Sequence, residues 1–156
     1  MIKILFICHG NICRSPMAEF VFKDMVHKRG LAGQFYIASA ATSTEEIGNP
    51  VHPGTRRKLR EVEISCEGKY AVQMTRSDYD KYDYLIGMDQ WNRRNIMRIV
   101  RRDPEGKVFL LLDFAAEPRD IADPWYTGNF EVTYADIIEG CEAFLAFLKE
   151  KDKISF

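Results

Sequence analysis

The segment from Cys8 to Pro16 places a nucleophile and an anion-binding arginine in one short loop. It reads Cys-His-Gly-Asn-Ile-Cys-Arg-Ser-Pro and follows the apolar run Ile2–Ile7, so it lies where a buried strand would turn into a helix. Backbone N–H groups in such a loop and at a helix N-terminus bind oxyanions and favour the thiolate form of a cysteine among them. The planar guanidinium of Arg14 can bind two phosphate oxygens at once. The segment therefore predicts catalysis on a phosphate monoester, with Cys8 as the nucleophile.

The other residues of this loop suit the backbone path that such a site requires. Gly10 permits a close backbone approach or a positive φ, and Asn11 also tolerates the left-handed region. Pro16 falls near the first helical turn, where its missing N–H costs nothing. A cysteine and an arginine at this spacing also occur by chance, and Cys8 would then be an ordinary buried thiol at a strand end. The strand before the loop and the amphipathic helix after it favour the catalytic interpretation.

A candidate proton donor lies late in the chain, in Asp123-Pro124-Trp125-Tyr126. The leaving oxygen needs a proton, and a water must later lose one to hydrolyse a phosphocysteine. One carboxyl group can serve both steps. Asp123 lies in the long loop 114–130, which could fold over the pocket, and Pro124 restricts its direction. Trp125 and Tyr126 could form a wall for a phenyl ring, or could simply pack at the rim of the loop.

Together these motifs resemble those of the low-molecular-weight protein tyrosine phosphatases. The Cys8–Pro16 string is similar to that family's phosphate-binding loop, and Asp123-Pro124 is similar to the late motif that begins with its general acid. The resemblance covers nearly the whole chain, with further landmarks at Ser39-Ala-Ala-Thr-Ser, Ile47-Gly-Asn-Pro, Tyr82-Asp-Tyr, Met88-Asp89 and Asn92.

The resemblance implies a role for each matching residue. Cys8, Arg14 and Asp123 would be catalytic. Phosphate or substrate would be bound by the remaining loop residues and the two late aromatic residues, which are His9, Gly10, Asn11, Ile12, Cys13, Ser15, Trp125 and Tyr126. Ser39 and Asp89 would be supporting residues. Asn11, Ser15 and Ser39 would hold the loop by hydrogen bonds, and Ser15 would also stabilise the Cys8 thiolate, whereas Asp89 has an alternative interpretation as a helix N-cap.

Three positions depart from the family's usual pattern, and one of them is His9, which occupies a loop position often held by an apolar residue. Glu45 stands where the family often has an aromatic residue, which predicts a missing or acidic wall that disfavours acidic flanks on a peptide substrate. Lys69 stands where many members have a histidine that supports the loop asparagine, so the resemblance implies a rebuilt or looser network here.

Strand and helix patterns alternate along the chain. Short apolar runs predict strands at Ile2–Ile7, Phe35–Ser39, Ala71–Met74, Tyr84–Met88 and Val108–Asp113. Helical spacing predicts helices at Met17–Lys28, Thr55–Arg60, Asp89–Arg102 and Glu131–Lys151, with a polar loop over Thr42–Gly54. This order predicts an α/β fold in one domain, residues 1–156, with a central parallel sheet of about four strands flanked by helices on both faces. Ligands of such sheets bind beyond the carboxyl ends of the strands.

Composition narrows the possible partners and compartment. The 22 basic and 23 acidic residues nearly cancel, which argues against nucleic acid as a partner. No apolar run is long enough for a membrane span, and the N-terminus lacks a signal-peptide cleavage site. The 4 cysteines are too scattered along the sequence for a disulfide framework. This arrangement predicts a reducing, cytoplasmic location, and the alternative is export without a signal peptide. Cys8 and Cys13 could bridge reversibly under oxidant, or Cys13 could pack inward.

The leading functional hypothesis is a cysteine-dependent protein tyrosine phosphatase that forms a phosphocysteine and acts on phosphotyrosine-containing proteins and aryl phosphates. Activity on phosphoserine and phosphothreonine stays open. We expect no metal or cofactor and a monomer or weak dimer. An arsenate reductase of the same fold is the first alternative, but its disulfide relay needs further cysteines and Ser77–Gly87 contains none. The second alternative is a catalytically silent phosphopeptide-binding protein. The presence of Cys8, Arg14 and Asp123 together argues against it.

Overall fold

A computed structural model describes residues 1–151 and Ile154, and a parallel sheet lies at its centre. Within these residues the strands are β1 (Ile2–Cys8), β2 (Phe35–Ala41), β3 (Tyr84–Gly87) and β4 (Val108–Leu110). Their spatial order is β2-β1-β3-β4, and every neighbouring pair is parallel. The strands are nearly continuous apolar runs because both faces of the sheet are covered. The predicted sheet is confirmed.

The order of the strands determines where a ligand can bind. The chain moves from β1 to β2 on one side and then returns to place β3 on the other side of β1. Such a reversal leaves a crevice at the carboxyl ends of the two strands that flank it. Cys8 is the last residue of β1, opposite Ala41 at the end of β2. The predicted nucleophile therefore lies at this crevice.

Helices cover both faces of the sheet. The described residues form six α-helices: α1 (Arg14–Lys28), α2 (Pro53–Glu61), α3 (Asp78–Lys81), α4 (Gln90–Val100), α5 (Pro124–Thr127) and α6 (Phe130–Glu150). Short 3-10 helices occupy Ala32–Gln34 and Leu111–Phe114. None of the helices in the described part of the chain combines the length and apolar character that crossing a bilayer requires.

Alternate residues of β1 enter two different cores. Ile4 and Phe6 pack in the larger core, which also contains buried residues of α1 and α6. Leu5 and Ile7 pack in the smaller core, against buried residues of α4. This division follows from the twofold period of a strand, which points successive side chains to opposite faces. Because both faces are packed, β1 is a rigid support for the residue at its end.

One predicted strand is wrong, and two others, Tyr84–Met88 and Val108–Asp113, are shorter than predicted. Ala71–Met74 does not join the sheet, because its backbone meets the sheet only at an isolated bridge between Gln73 and Ala41. Ala71 and Met74 are nevertheless buried, so their apolar character reflects packing at the end of β2. The strand predicted at Val108–Asp113 ends at Leu110, where a 3-10 turn begins.

The close contact between α6 and the Leu111–Phe114 turn depends on a glycine. A Cβ added at Gly140 would lie 2.5 Å from Cγ of Leu111, which is fully buried. We expect Gly140→Ala to lower the free energy of unfolding by about 1–3 kcal/mol, because overpacking a core outweighs the better helix propensity of alanine. Thermal or urea denaturation measures the change. Gly33→Ala is the matched control, because a Cβ at Gly33 meets no atom within 4 Å, and a loss as large as that of Gly140→Ala would contradict the packing argument.

Candidate active site

Residues 8–14 form a cradle between the end of β1 and the start of α1. Asn11 adopts a positive φ of 59°, which turns the loop sharply, whereas Gly10 has no positive φ. The close approach is at the side chain of Glu46, because a Cβ at Gly10 would lie 3.3 Å from Cγ of Glu46 and would make that side chain shift slightly. The helix begins at Arg14 rather than at Met17, so the cradle is formed directly by the helix N-terminus. Free N–H groups at such a terminus favour a bound anion.

The Cys8 sulfur lies at the floor of this cradle. Cys8 is only 3% exposed. Its Sγ atom is 3.0 Å from Oγ of Ser15, and the backbone N–H of Ser15 donates to the same sulfur at 3.4 Å. Donors aimed at a sulfur stabilise its anionic form, because a thiolate accepts hydrogen bonds better than a thiol. The surroundings of Cys8 therefore suit a nucleophile.

Asn11 connects the loop to the neighbouring strand. Its Nδ2 donates to Oγ of Ser15 at 2.7 Å and to Oγ of Ser39 at 2.9 Å. Its Oδ1 accepts from the backbone N–H of Val72 at 3.1 Å. Every polar atom of this buried amide is thus paired, as a buried amide requires. The left-handed turn at Asn11 is held by three hydrogen bonds from its own side chain.

Arg14 is held from three directions. Its Nη1 donates to Oδ2 of Asp89 at 2.6 Å and to the carbonyl oxygen of Ile121 at 2.8 Å, and its Nη2 is 3.4 Å from Oδ2 of Asp123. Burial disfavours the charge of this guanidinium, but the negative groups at Cys8 and Asp89 outweigh that effect and raise the pKa of Arg14 above its ordinary value. Arg14 therefore carries a permanent positive charge behind the cradle.

Asp89 contacts both Arg14 and the start of α4. Its Oδ2 accepts from Arg14 at 2.6 Å, while its Oδ1 accepts from the backbone N–H of Asn92 at 2.8 Å and caps α4. The cap fixes the carboxylate on a rigid helix end, and a fixed carboxylate orients the guanidinium.

Asp123 caps the short helix α5 at the opposite rim of the cradle. Its Oδ1 accepts from the backbone N–H of Trp125 at 3.0 Å, and Pro124 occupies the first helical position. The other oxygen faces Arg14. The loop predicted to fold over the pocket does so, and it brings a carboxyl group to the same cavity as the Cys8 sulfur.

That cavity has a volume of about 120 Å³. It is lined by Cys8, His9, Gly10, Ile12, Cys13, Glu45, Glu46, Asp123, Trp125 and Tyr126. Trp125 is 56% exposed and Tyr126 is 83% exposed, so both rings are available to a ligand at the mouth. Oε2 of Glu45 is hydrogen-bonded to Nε2 of His9 there. The wall at position 45 is therefore acidic, which is one of the two outcomes that the sequence predicts.

The predicted site residues all gather at this end of the sheet. Of the thirteen, Cys8, His9, Gly10, Ile12, Cys13, Asp123, Trp125 and Tyr126 line the cavity, and Asn11, Arg14, Ser15, Ser39 and Asp89 lie behind or beside it. Sequence reasoning missed two backbone partners, the N–H of Val72 and the carbonyl of Ile121, which no side-chain pattern can reveal. It also missed the buried carboxyl of Glu19, whose position among the apolar residues of α1 was the available signal.

Burial makes Cys13 a poor nucleophile beside the reactive one. Burial, followed by the negative groups at Cys8 and Asp123, raises the pKa of Cys13 to about 12. We therefore expect Cys13 to stay protonated and resist alkylation up to about pH 10, because only the thiolate reacts. Alkylation with iodoacetamide at pH 8, followed by peptide mass spectrometry, should label Cys8 and spare Cys13. Equal labelling of both thiols would contradict this expectation.

Comparisons with known proteins agree with this geometry. A family model described as low molecular weight phosphotyrosine protein phosphatase matches residues 3–154. The chain belongs to this family. It is 40% identical over 156 residues to the low molecular weight protein-tyrosine-phosphatase YfkJ of Bacillus subtilis, covering 99% of this chain and 100% of the relative. It is 36% identical over 149 residues to PtpA of Staphylococcus epidermidis, covering 95% of this chain and 94% of the relative.

Solved structures of this phosphatase family share the fold. The crystal structure of YfkJ from Bacillus subtilis superposes with a TM-score of 0.92 at 42% identity, covering 97% of this chain and 96% of that one. The low molecular weight protein tyrosine phosphatase SP-PTP from Streptococcus pyogenes gives a TM-score of 0.84 at 40% identity, covering 95% and 93%. Within residues 1–151 and 154 of this family member, no three His, Cys, Asp or Glu side chains cluster as a metal site would require.

Proposed function

We propose that this family member hydrolyses phosphotyrosine through a phosphocysteine intermediate, with Cys8 as nucleophile, Arg14 as phosphate ligand and Asp123 as general acid and base. The observation that carries the proposal is the convergence of the Cys8 sulfur and the Asp123 carboxyl on one cavity, with the Arg14 guanidinium beside the Asp123 carboxyl. These are the groups that a covalent phosphoryl transfer requires.

In the first step the Cys8 thiolate attacks the phosphorus. The S–P bond forms as the bond from phosphorus to the tyrosyl oxygen breaks, and that oxygen takes the proton of Asp123. Arg14 and the N–H groups of the cradle bind the equatorial oxygens, on which negative charge is spread in the transition state. Asp89 and the Ile121 carbonyl hold Arg14 in place, so little reorganisation accompanies the reaction.

In the second step water hydrolyses the phosphocysteine. Asp123, now ionised, accepts a proton from the water as its oxygen bonds to phosphorus, and the S–P bond breaks. The electron pair of that bond returns to the Cys8 sulfur, where the Ser15 hydroxyl at 3.0 Å stabilises the departing thiolate. Phosphate then leaves and the starting state is restored.

The mouth of the cavity supports aryl substrates. A phenyl ring can lie against Trp125 and Tyr126 while its phosphate reaches Cys8, and a serine side chain gains no such contact. Phosphotyrosine-containing proteins are thus the proposed partners, with weaker activity on phosphoserine and phosphothreonine. The carboxylates of Glu45 and Glu46 favour peptides without acidic residues beside the phosphotyrosine.

A substrate panel tests the proposed function. Phosphotyrosine, phosphoserine and arsenate are each supplied with and without a thiol reductant, and release of phosphate or of arsenite is measured. We expect rapid hydrolysis of phosphotyrosine and no reduction of arsenate. Cys66 and Cys141 are both buried and neither lines the cavity, so neither is placed to receive a disulfide from Cys8. Reductant-dependent arsenite release without phosphotyrosine hydrolysis would establish the oxidoreductase alternative, and tight phosphopeptide binding without turnover would establish the silent binding protein.

The remaining expectations are proposals of the same kind. We propose hydrolysis without a metal or cofactor, so that activity should survive EDTA. The 4 cysteines are free thiols, which supports a reducing cytoplasmic location. A monomer or weak dimer remains the proposed oligomeric state.

A further inference from the structure

The outer face of α4 presents a tryptophan and a row of arginines to solvent. Trp91, Arg94 and Arg98 are spaced by three and four residues, which places them on one side of the helix, and Arg101 follows at its end. The buried residues of α4 lie on the opposite side and are Asn92, Ile96 and Val100. Trp91 is 64% exposed, and the three arginines are exposed as well. The name α4 stripe is used below for Trp91, Arg94, Arg98 and Arg101.

The positive charge of the α4 stripe is not compensated by acidic neighbours. Residues 90–102 contain no aspartate or glutamate. The acids at both ends of this range are engaged elsewhere, because Asp89 accepts from the active-site arginine and Asp103 accepts from the loop that leads into β4. Among the residues that the structure describes, no carboxylate forms an ion pair with an arginine of the stripe, whereas the neighbouring Arg93 pairs with Asp113 at 2.7 Å. The stripe is therefore a local excess of positive charge on a chain whose charges nearly cancel.

Two side chains of the stripe are already stacked on each other. The guanidinium carbon of Arg94 lies 4.7 Å from the centre of the Trp91 ring. This contact is a cation–π interaction, and it holds both flat groups in place on the helix surface. Tryptophan and arginine are the residue types that contribute most at protein interfaces, and a pair that is already ordered loses little side-chain entropy when a partner binds. The pair therefore suits a protein or peptide partner.

Arg101 has a backbone conformation that favours glycine. Its φ is 72°, and its N–H donates to the carbonyl oxygen of Met97 at 2.8 Å to close the end of α4. A side chain is strained in the left-handed region, so the ending of the helix alone would favour glycine at this position. Helix termination therefore does not account for the arginine, whereas a role for its charge in the stripe does.

The stripe begins close to the candidate active site and leads away from it. Asp89, directly before α4, accepts from Arg14 behind the cradle, so Trp91 lies within one helical turn of that contact. Ile96 of α4 packs with Leu85 of β3 in the smaller core, so the helix runs back along the sheet from the crevice. Its 11 residues span about 16 Å. A substrate with its phosphate in the cradle can therefore reach the stripe with a segment several residues away.

We propose that the α4 stripe is a docking surface for an acidic segment of the phosphoprotein substrate, at a distance from the phosphotyrosine. Carboxylates are the partners that guanidinium groups bind with paired hydrogen bonds. Glu45 and Glu46 line the mouth of the cavity and repel acidic residues there, so the acidic segment must lie farther along the substrate. The proposal rests on the proposed function, because it names which phosphotyrosine proteins that site would select. A contact outside the cavity is the same in the ground state and the transition state, so docking should lower KM and leave kcat unchanged.

The test uses pairs of phosphotyrosine peptides that differ only in a distal segment. One peptide of each pair carries a run of glutamates and the other a run of glutamines, joined to the phosphotyrosine by glycine-serine linkers of increasing length. At the best linker length we expect kcat/KM to be about threefold to tenfold higher for the glutamate peptide, because two or three exposed ion pairs together give an effect of this size. The difference should arise in KM and should shrink as salt is added.

Arg94→Gln/Arg98→Gln should abolish the advantage of the glutamate peptide and keep turnover of p-nitrophenyl phosphate within about twofold of wild type. The matched control is Arg57→Gln/Arg60→Gln, which removes the same charge from exposed positions of α2. That helix packs in the larger core, on the other face of the sheet. The control variant should retain the advantage. Arg101→Gly should reduce the advantage without lowering the melting temperature, because glycine fits the backbone there.

Several results would overturn the proposal. One is an equal kcat/KM for the two peptides at every linker length, and another is an advantage that persists in Arg94→Gln/Arg98→Gln or is lost equally in the α2 control. Binding to phosphatidylserine vesicles that depends on Arg94 and Arg98, without any preference between the peptides, would assign the stripe to a membrane surface instead. Fluorescence anisotropy of the same peptides with the Cys8→Ser variant measures docking without turnover. A preference for the glutamate peptide there, with no hydrolysis by the wild-type protein, would contradict the proposed function and not the docking surface.

Discussion

Replacing Cys8 by serine should abolish turnover of aryl phosphates, with kcat lowered by about 10⁴-fold or more, because the hydroxyl is a far weaker nucleophile than the thiolate at neutral pH. The variant should still bind inorganic phosphate or vanadate, since Arg14 and the backbone of the cradle are unchanged. Steady-state rates with p-nitrophenyl phosphate and calorimetric titration with the anion measure the two properties separately. The expected result is a variant that binds the anion but does not hydrolyse aryl phosphates.

The matched control for this variant is Cys66→Ser. Cys66 is also a buried free thiol, but it lies in a different part of the fold and does not line the candidate active site. Its replacement should leave kcat within about twofold of wild type. Turnover that survives in Cys8→Ser would remove Cys8 from the role of nucleophile, and equal losses in both variants would indicate a structural effect instead. Mass spectrometry of a rapidly quenched wild-type reaction should find one phosphoryl group on Cys8.

Replacing Asp123 by asparagine should slow phenyl phosphate by about 10²- to 10⁴-fold and slow p-nitrophenyl phosphate much less. Phenolate is a poor leaving group and needs the proton of Asp123, whereas p-nitrophenolate leaves without one. Asparagine keeps an oxygen that can accept from the Trp125 N–H at the start of α5, so the helix cap is preserved. The dependence of kcat on the leaving group's acidity, measured over a series of substituted phenyl phosphates, should become steeper.

Asp120→Asn is the control for the loss of one negative charge in the same loop. Asp120 is exposed and does not line the cavity. We expect its kcat and its leaving-group dependence to match those of wild type. If Asp123→Asn slows all the phenyl phosphates equally, the acid role belongs to another group, and Asp123 contributes only through its position beside Arg14.

Sequence reasoning succeeded where the determining interactions are local. The continuous apolar pattern of Ile2–Ile7 predicts a buried strand, and β1 covers it with one added residue. The positive φ of Asn11 agrees with the tolerance of asparagine for the left-handed region, but α1 begins at Arg14, three residues before the predicted start at Met17. The nucleophile, the turn and the helix N-terminus are contiguous in the chain, so their spacing in the sequence is enough to predict how they lie relative to one another.

It failed where the backbone environment overrides local character. Ala71–Met74 has the apolar content of a strand, but it meets the edge strand β2 only at its last residue, Ala41. The segment therefore docks at the end of β2 through a single bridge. The segment contributes one backbone N–H to the site, that of Val72. The residue type at a position does not indicate which group its backbone N–H will bond.

The chemistry of the site was already determined by the sequence, because a cysteine at a strand-to-helix turn with an arginine six residues later needs only local structure to bind an oxyanion. The packing of distant segments decided how that chemistry is controlled. Arg14 meets Asp89, Ile121 and Asp123 only because β1 lies beside β3 and α5 folds back across the crevice. Lys69 reaches Ser39 and Glu19 because the segment that follows it docks at the end of β2. Periodicity reports which face of an element is buried, but it does not report which elements become neighbours, and the charges around Cys8 depend on those neighbours.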